Sequence, residues 1–216
     1  MEQEGGRRVG AIGLGTGTVA AYGMPGDVYR FYEIDPEVVK IANDNFTFLA
    51  NSKAEIELAL GDARVSLQKE FESGGPQRFD VLIVDAFSGD AIPVHLLTRE
   101  AFALYWNHLK HDGVLLIHTS NRYVQLAPVA RALAYEAGFE SVEVVFDEDE
   151  ALEPGPADFN SDWVVITRDW DMLSLAAEYS GGSQTKGLDD PLAIWTDDHI
   201  HLLHAMELFD QLNEGR

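Results

Sequence analysis

Between Arg8 and Asp35 the chain reads RVGAIGLGTGTVAAYGMPGDVYRFYEID, and no other stretch constrains the fold as tightly. A short apolar run, Val9 to Leu14, enters a glycine cluster of Gly13, Gly15 and Gly17; a second β-rich run then ends in Glu33. The pattern predicts a strand, a tight turn, a helix start and a second strand, closed by a carboxylate. Glycines let the backbone turn sharply and come close to a ligand, and a helix N-terminus presents unpaired N–H groups. Glu33 lies 18 positions after Gly15, near the roughly 20 expected of an acid that accepts hydrogen bonds from ribose hydroxyls. The stretch predicts a bound nucleoside.

The spacing discriminates further. GLGTGT reads G-x-G-x-G, and position 18 is Thr where a dinucleotide fold carries its third glycine. No P-loop lysine follows to hold phosphates. The tighter pattern, with an acid ending the second strand, suits adenosine joined to an amino-acid-like sulfonium. A glycine turn can also be purely structural, and it is the strand context together with Glu33 that favours the ligand.

A length of 216 residues suits one α/β domain with a sizeable core. No apolar run approaches the ~18–20 residues needed to span a bilayer, and Met1 to Arg8 is charged and too short for a signal peptide. There is no cysteine, so neither a disulfide framework nor thiolate chemistry is expected, and a cytoplasmic location is. The net charge of −22 argues against nucleic acid as a partner, because a phosphate backbone would be repelled. The same charge would draw in small cationic amines, although by itself a solubilising or salt-adapted surface is the simpler reading. Many of the acids lie in one run, Asp147 to Glu153, which reads as a solvated loop.

After Glu33, Asp35-Pro36 reads as an N-cap with proline at the first helical position, followed by Val38, Val39, Ile41, Ala42 and Phe46 at helical spacing. Asn51 to Lys53 read as a break, and Ala54 to Leu60 as a strand ending in Gly61-Asp62. A short amphipathic helix through Val65, Leu67 and Phe71 leads to FDVLIV, Phe79 to Val84, a buried strand delivering Asp85. Pro93 to Leu109 reads as helix, Gly113 to His118 as strand, and Val124 to Ala137 as a helix stopped by Gly138. Val142 to Phe146 and Trp163 to Thr167 have no helix-length segment between them and predict an antiparallel hairpin. Residues 180–190 read as a flexible loop, and Trp195 to Leu212 as a final amphipathic helix. The expected fold is α/β: a mostly parallel seven-stranded sheet with helices on both faces and a C-terminal antiparallel hairpin.

Open parallel sheets bind ligands beyond the carboxyl ends of their strands. Gly13, Glu33, Asp62, Asp85 and Asn121 all fall at or just after such ends. Singly, each reads as a turn or capping residue; together they mark one edge. Asp85 opens DAFSGDAIP, which carries a second carboxylate at Asp90. Two carboxylates on such a loop suit an ammonium group, and one could take its proton as the nitrogen becomes nucleophilic. No metal is expected there. His201 and His204, three apart on the predicted terminal helix, could share a metal with an aspartate, but such histidines are more often surface or half-buried groups. His118 ends a strand and could carry a proton, though a packed histidine is the simpler reading.

GLGTGT, FYEIDPEVV, the GDAR after the third strand and FDVLIVDAFSGD resemble the spermidine synthase family of polyamine aminopropyltransferases, over Val9 to about Gly138. DAFSGDAIPVHLLT, SNRYVQLAP, SDWVVITRD and WTDDH look most like the variants often joined to a transporter-like membrane segment. The resemblance implies a methyltransferase-like Rossmann fold and transfer of an aminopropyl group from decarboxylated S-adenosylmethionine to an amine. It places Gly13, Gly15 and Gly17 along the sulfonium nucleoside, Glu33 on the ribose and Asp62 on the adenine amino group. Asp85 would draw the proton from the attacking amine. Asp90, Thr16 and Asn121 would lie on the amine side. Thr16 stands where the family's G-G-G-D-G carries aspartate, and Asp85 and Asp90 are five apart where the family's loop acids are three apart. The chain is expected to be one nucleoside-binding catalytic domain, 1–216, without the family's amino-terminal β-domain. A homodimer, and a membrane segment in a longer natural chain, stay open. So do two other functions: a methyltransferase using S-adenosylmethionine itself, and a non-catalytic domain that senses the nucleoside.

Overall fold

The structure is a computed structural model that describes residues 6–86, 93–121, 123–146, 161–179 and 190–206. Asp90, the acidic run Asp147 to Glu153 and the loop of residues 180–189 lie outside the described residues. The seven strands are β1 (Arg8–Ile12), β2 (Val28–Glu33), β3 (Glu55–Leu60), β4 (Phe79–Val84), β5 (Leu109–His118), β6 (Glu140–Phe146) and β7 (Ser161–Thr167). They form one sheet in the order β3-β2-β1-β4-β5-β7-β6. Strands β1 to β4 pair in parallel, with Ala11 beside both Phe31 and Ile83, and β6 pairs antiparallel with β7, Val142 beside Val165. The sheet is therefore mostly parallel and ends in the expected antiparallel pair. Among the described residues no helix is long and apolar enough to cross a membrane.

The chain forms two compact units, Met1–Phe87 with Ala103–Leu115, and Ser88–Phe102 with Leu116–Arg216. In the first, helix α1 (Pro36–Asn45) starts as its sequence dictates: Asp35 accepts the Glu37 N–H at 2.9 Å and proline occupies the first turn. A one-turn helix α2 (Phe48–Asn51) follows, so the predicted break begins one residue later. Helix α3 (Ala63–Gly74) leads from β3 to β4. The β2-to-β3 and β3-to-β4 crossovers run in opposite directions along the sheet. Right-handed connections then put α1 and α3 on opposite faces. Phe31, Leu67, Phe79 and Leu82 are fully buried between these layers.

One face of β2 carries a polar network in place of an apolar contact. Arg30 binds Glu57 at 3.0 Å and also Glu70 of α3, while Arg8 binds Glu57 at 2.9 Å. The Tyr32 hydroxyl donates to Glu70 at 2.7 Å. Burial works to raise the Glu57 pKa, but the hydrogen bonds and charges of Arg8 and Arg30 outweigh it and hold the carboxyl below its ordinary value. Burial and the Glu70 carboxylate push the Tyr32 phenol well above its ordinary range. His108, at the end of helix α4 (Arg99–His108), is fully buried in the same unit. Its Nδ1 accepts the Gln77 N–H at 3.1 Å, which leaves Nε2 to donate to the Leu67 carbonyl at 3.0 Å.

In the second unit, helix α5 (Leu126–Glu136) buries Leu126, Val129, Ala130 and Leu133, and ends at Gly138 as predicted. Helix α6 (Trp170–Tyr179) has no counterpart in the sequence reading.

Three predicted elements are corrected. The helix start after the glycine turn is only a 3-10 turn, Thr18–Tyr22, stopped by Gly23, Pro25 and Gly26. Pro93 to Leu109 is a short 3-10 turn (Val94–Leu96) and then α4, because the buried Thr98 accepts the Ala101 N–H and restarts the helix; Leu109 already belongs to β5. Trp195 to His201 is not helical, and the last described helix covers 202–206. Trp195 is fully buried, and the next residues fold into a turn in which Asp197 accepts the Thr98 hydroxyl at 2.9 Å. Core burial outweighs helical periodicity there.

Candidate functional site

The site forms where the strand order reverses, between β1 and β4, a position at which a crevice opens beyond the carboxyl ends. Three backbone hydrogen bonds carry the ladders past the strand ends and fix the edge: Gly13 N–H to Tyr32, Gly61 N–H to Glu33, and Asp85 N–H to Ile12, each 2.8 Å. Gly13, Glu33, Gly61 and Asp85 are thereby held side by side in the first unit.

Gly13 has a geometric reason to be glycine. Its φ is +96°, and a Cβ there would lie 2.1 Å from the Asp85 carbonyl oxygen. Only a residue without a side chain lets β1 turn this close to the end of β4. Gly15, at φ +53°, faces open space instead, with nothing within 4 Å of a would-be Cβ. The turn is thus tight behind Gly13 and open at Gly15, as a surface that receives a ligand must be. The Thr16 hydroxyl is paired with that of Thr18 at 2.7 Å.

Glu33 is 9% exposed. One carboxylate oxygen accepts the Leu14 N–H at 3.0 Å and the other the Asp35 N–H at 2.9 Å. The side chain therefore ties the glycine turn to the start of α1. A carboxylate offers about four acceptor sites; two are used, so each oxygen keeps a lone pair for a hydroxyl. Behind it, the Tyr32–Glu70–Arg30 network anchors the strand that presents it.

Asp62 caps α3, accepting the Val65 N–H at 2.8 Å. Its charge also reaches the fully buried Tyr105 of α4. Burial pushes the Tyr105 phenol far above its ordinary range, with Arg64 opposing and Asp62 adding to the shift. Tyr105 was not singled out in the sequence; a lone phenol in the otherwise apolar AFALYW of α4 is the signal that could have marked it. The Asp85 side chain is exposed at the end of β4. Carboxylates at 33, 62 and 85 on one edge, with a sharp glycine turn beside them, suit a ligand that carries hydroxyls and positive charge.

The remaining predicted residues lie in the second unit. Asn121 folds its own loop, its oxygen accepting the Tyr123 and Val124 N–H groups at 2.9 and 3.0 Å. His118 stacks on Trp163, ring centroids 4.8 Å apart, so it is packed. His201 precedes the terminal helix, and the predicted His201–His204 pair on one helix does not form; His204 instead meets Asp190 at 2.8 Å. Among the described residues no three His, Cys, Asp or Glu side chains form a metal-binding group. A cavity of about 880 Å³ in this unit is lined by Arg99, Tyr135, Glu136, His199 and His201 among others, and by none of Gly13, Glu33, Asp62, Asp85 and Asn121. The Arg99 charge there is already answered by a two-pronged contact with Glu136. The chemistry of the edge, rather than the volume of this cavity, marks the candidate site.

No family model matches the chain. Among curated proteins it is 36% identical over 115 residues to the polyamine aminopropyltransferase of Vibrio vulnificus, which covers 52% of this chain and 37% of that protein. It is 37% identical over 108 residues to the N-terminal histidine N-methyltransferase of Emericella nidulans, covering 50% of this chain and 19% of that protein. The match thus takes in well under two thirds of either relative. Among solved structures, the spermidine synthase of Thermotoga maritima superimposes with a TM-score of 0.56 at 16% identity, over 98% of this chain and 68% of that one. Human methyltransferase-like protein 13 in complex with SAH gives 0.57 at 16% identity, over 86% of each chain. These likenesses establish the methyltransferase-like Rossmann fold.

Proposed function

We propose that the protein is an aminopropyltransferase of the spermidine synthase kind, with 1–216 as its catalytic domain and the cytoplasm as its location. The observation that carries this reading is the row of Gly13, Glu33, Asp62 and Asp85 on one sheet edge, taken with the 36% identity to a polyamine aminopropyltransferase. The co-substrate is decarboxylated S-adenosylmethionine. Glu33 receives the ribose hydroxyls on the lone pairs that Leu14 and Asp35 leave open. Asp62 meets the adenine amino group, and Gly13, Gly15 and Gly17 let the backbone run beside the sulfonium. The acceptor is a small cationic amine, held near Asp85, with Thr16 on its side of the site.

The reaction is a single displacement. The amine nitrogen attacks the methylene carbon bonded to sulfur, a C–N bond forms as the C–S bond breaks, and 5′-methylthioadenosine leaves with the bonding pair. Asp85 orients the incoming nitrogen and takes a proton from it, so that a lone pair faces carbon. Holding two reactants in line supplies much of the rate.

The likeness to a histidine N-methyltransferase supports a second reading, methyl transfer from S-adenosylmethionine itself. Incubation with each donor and a panel of diamines and polyamines separates them by mass spectrometry. Methylthioadenosine with an aminopropylated amine supports the first. S-adenosylhomocysteine with a methylated acceptor replaces it with the second, and tight nucleoside binding without turnover on any donor replaces both with a non-catalytic sensor.

A further inference from the structure

We infer that the cavity lined by Arg99, helix α5 and the 190–201 segment is a second binding site, and that it takes an aliphatic diamine. All its described lining residues belong to the second unit, so the inference stands apart from the sheet edge and from the reaction assigned to it. Its volume, about 880 Å³, is in the range of small-molecule sites. Helix α5 supplies Ala132, Tyr135 and Glu136, and the turn that packs on α5 supplies Asp190, Pro191 and Ile194. Hydrogen bonds fix this wall. The Arg99 N–H donates to the Trp195 carbonyl at 2.8 Å and the Asp197 N–H to Glu100 at 3.0 Å, while Thr196 and His199 exchange backbone bonds at 2.9 and 3.3 Å. Trp195 is fully buried and anchors the segment.

The polar groups of the wall are mostly acceptors. Glu136 and Asp190 contribute carboxylates, the second held by His204 at 2.8 Å, and Thr196 a hydroxyl. His199 and His201 add imidazoles, each of which offers a lone pair when neutral. Arg99 is the one permanent cation among the described lining residues, and its guanidinium forks onto both oxygens of Glu136, at 2.7 and 2.5 Å. That pairing answers the arginine charge and uses about two of the roughly four acceptor positions of a carboxylate. A ligand here must therefore bring donors and positive charge. A phosphate or a carboxylate would instead meet two acids in a chain of net charge −22. The two carboxylates come from different segments, and the cavity also has an apolar side: Ala132, Pro191, Ile194 and the ring of Tyr135, which is 48% exposed. A metal ion or a lone ammonium would leave that side unused. Two ammonium groups joined by a chain of methylenes use all of it, and the face of the Tyr135 ring attracts a cation as well.

Histidine imidazole resonances locate a ligand in this cavity without reference to activity, once His199→Gln and His201→Gln have assigned them. In the full chain, 1,5-diaminopentane at millimolar concentration should shift the His199 and His201 signals saturably, and n-butylamine should bind at least about 5-fold more weakly. Glu136→Gln should weaken the diamine by a similar factor. Arg99→Gln, which releases Glu136 from its fork, should tighten it; both side chains are well exposed, so the variants should keep the wild-type circular dichroism spectrum. Asp85→Asn, at the sheet edge, should leave the shifts unchanged. The proposal is overturned by the lack of a saturable shift, by equal binding of n-butylamine, by an unaltered affinity in Glu136→Gln, or by weaker binding in Arg99→Gln. Inorganic phosphate that displaces the diamine overturns it too. So does a shift that disappears in Asp85→Asn, because the amine would then act from the edge. None of these readouts depends on the assigned activity.

Discussion

Replacing Glu33 by glutamine separates two roles that the geometry gives to one side chain. In the free protein each carboxylate oxygen accepts one backbone N–H, from Leu14 at 3.0 Å and Asp35 at 2.9 Å. Glutamine keeps one acceptor oxygen and turns an NH₂ group toward the other N–H, so two donors meet. Loss of one hydrogen bond to a charged acceptor should lower the stability of the free protein by about 1.5–3 kcal/mol. If the remaining lone pairs receive the ribose hydroxyls, the ligand loses a bond of the same kind, roughly 10–150-fold in Kd. A loosened glycine turn would weaken every nucleoside, so the variant must be paired with a ligand change. Calorimetry with 5′-methylthioadenosine and its 2′,3′-dideoxy analogue supplies the cycle. Wild type should favour the ribose form by about 10-fold or more, and in Glu33→Gln that preference should approach unity. Equal losses for both ligands, with the preference intact, would refute ribose recognition and leave Glu33 a clamp. Unchanged stability of the free protein in urea would refute the clamp.

Gly13→Ala should cost more than about 3 kcal/mol, since it combines a left-handed backbone with a Cβ 2.1 Å from the Asp85 oxygen; urea unfolding that shows a loss under ~1 kcal/mol would mean β1 and β4 separate easily. Asp85→Asn keeps the shape of the edge and removes its charge, so single-turnover transfer should fall ~10²–10⁴-fold while nucleoside affinity holds; an equally active variant would remove Asp85 from the mechanism. His108 should make the fold acid-sensitive. Burial lowers its pKa in the folded state, below the 6.5 of the free side chain, with the Leu67 carbonyl and Glu70 opposing. The unfolded chain therefore binds the proton first: the neutral imidazole's contribution is complete above about pH 6.5 and is lost as pH falls through the lower folded value. Urea titrations at pH 7.5 and 5.5 should show that fall, and His108→Phe should flatten it.

The first unit was legible because its signals are local. Asp35-Pro36 names its own helix start, and FDVLIV is too apolar to be anything but a buried strand. The glycine turn announces itself through the φ values it needs. What the sequence hid depends on distant partners. Thr98 breaks the Pro93–Leu109 helix because its hydroxyl answers Ala101 and, almost a hundred residues on, Asp197. The periodicity of Ile200, Leu203 and Met206 suggested a helix from Trp195, but all three side chains are well exposed while Trp195 is buried. Helix α6 was missed for the converse reason: Trp170, Met172, Leu175 and Tyr179 sit on its exposed surface, which erases the alternation that reveals an amphipathic helix.

The candidate residues at 33, 62 and 85 fall at strand ends as the sequence pattern predicts, but a duty toward a ligand does not follow from that placement, for a physical reason. A carboxylate at the end of a parallel strand sits where helices begin, so it is recruited to cap backbone N–H groups whether or not a ligand is near. Glu33 and Asp62 both do this, and at Glu33 capping is compatible with the proposed ligand binding, because two N–H groups use only part of a carboxylate's acceptor capacity. A nucleoside bound as proposed would meet oxygens whose positions the fold has already fixed. Side chains locked by backbone donors lose no rotamer freedom on binding, and that preorganisation converts a modest set of hydrogen bonds into usable affinity. Asp85 differs: it is exposed, and its main chain, rather than its carboxylate, is what packs against Gly13. Substitutions at 33 and 62 should therefore change stability and nucleoside binding together, whereas Asp85→Asn, which keeps the shape of the edge, should act chiefly on reactivity.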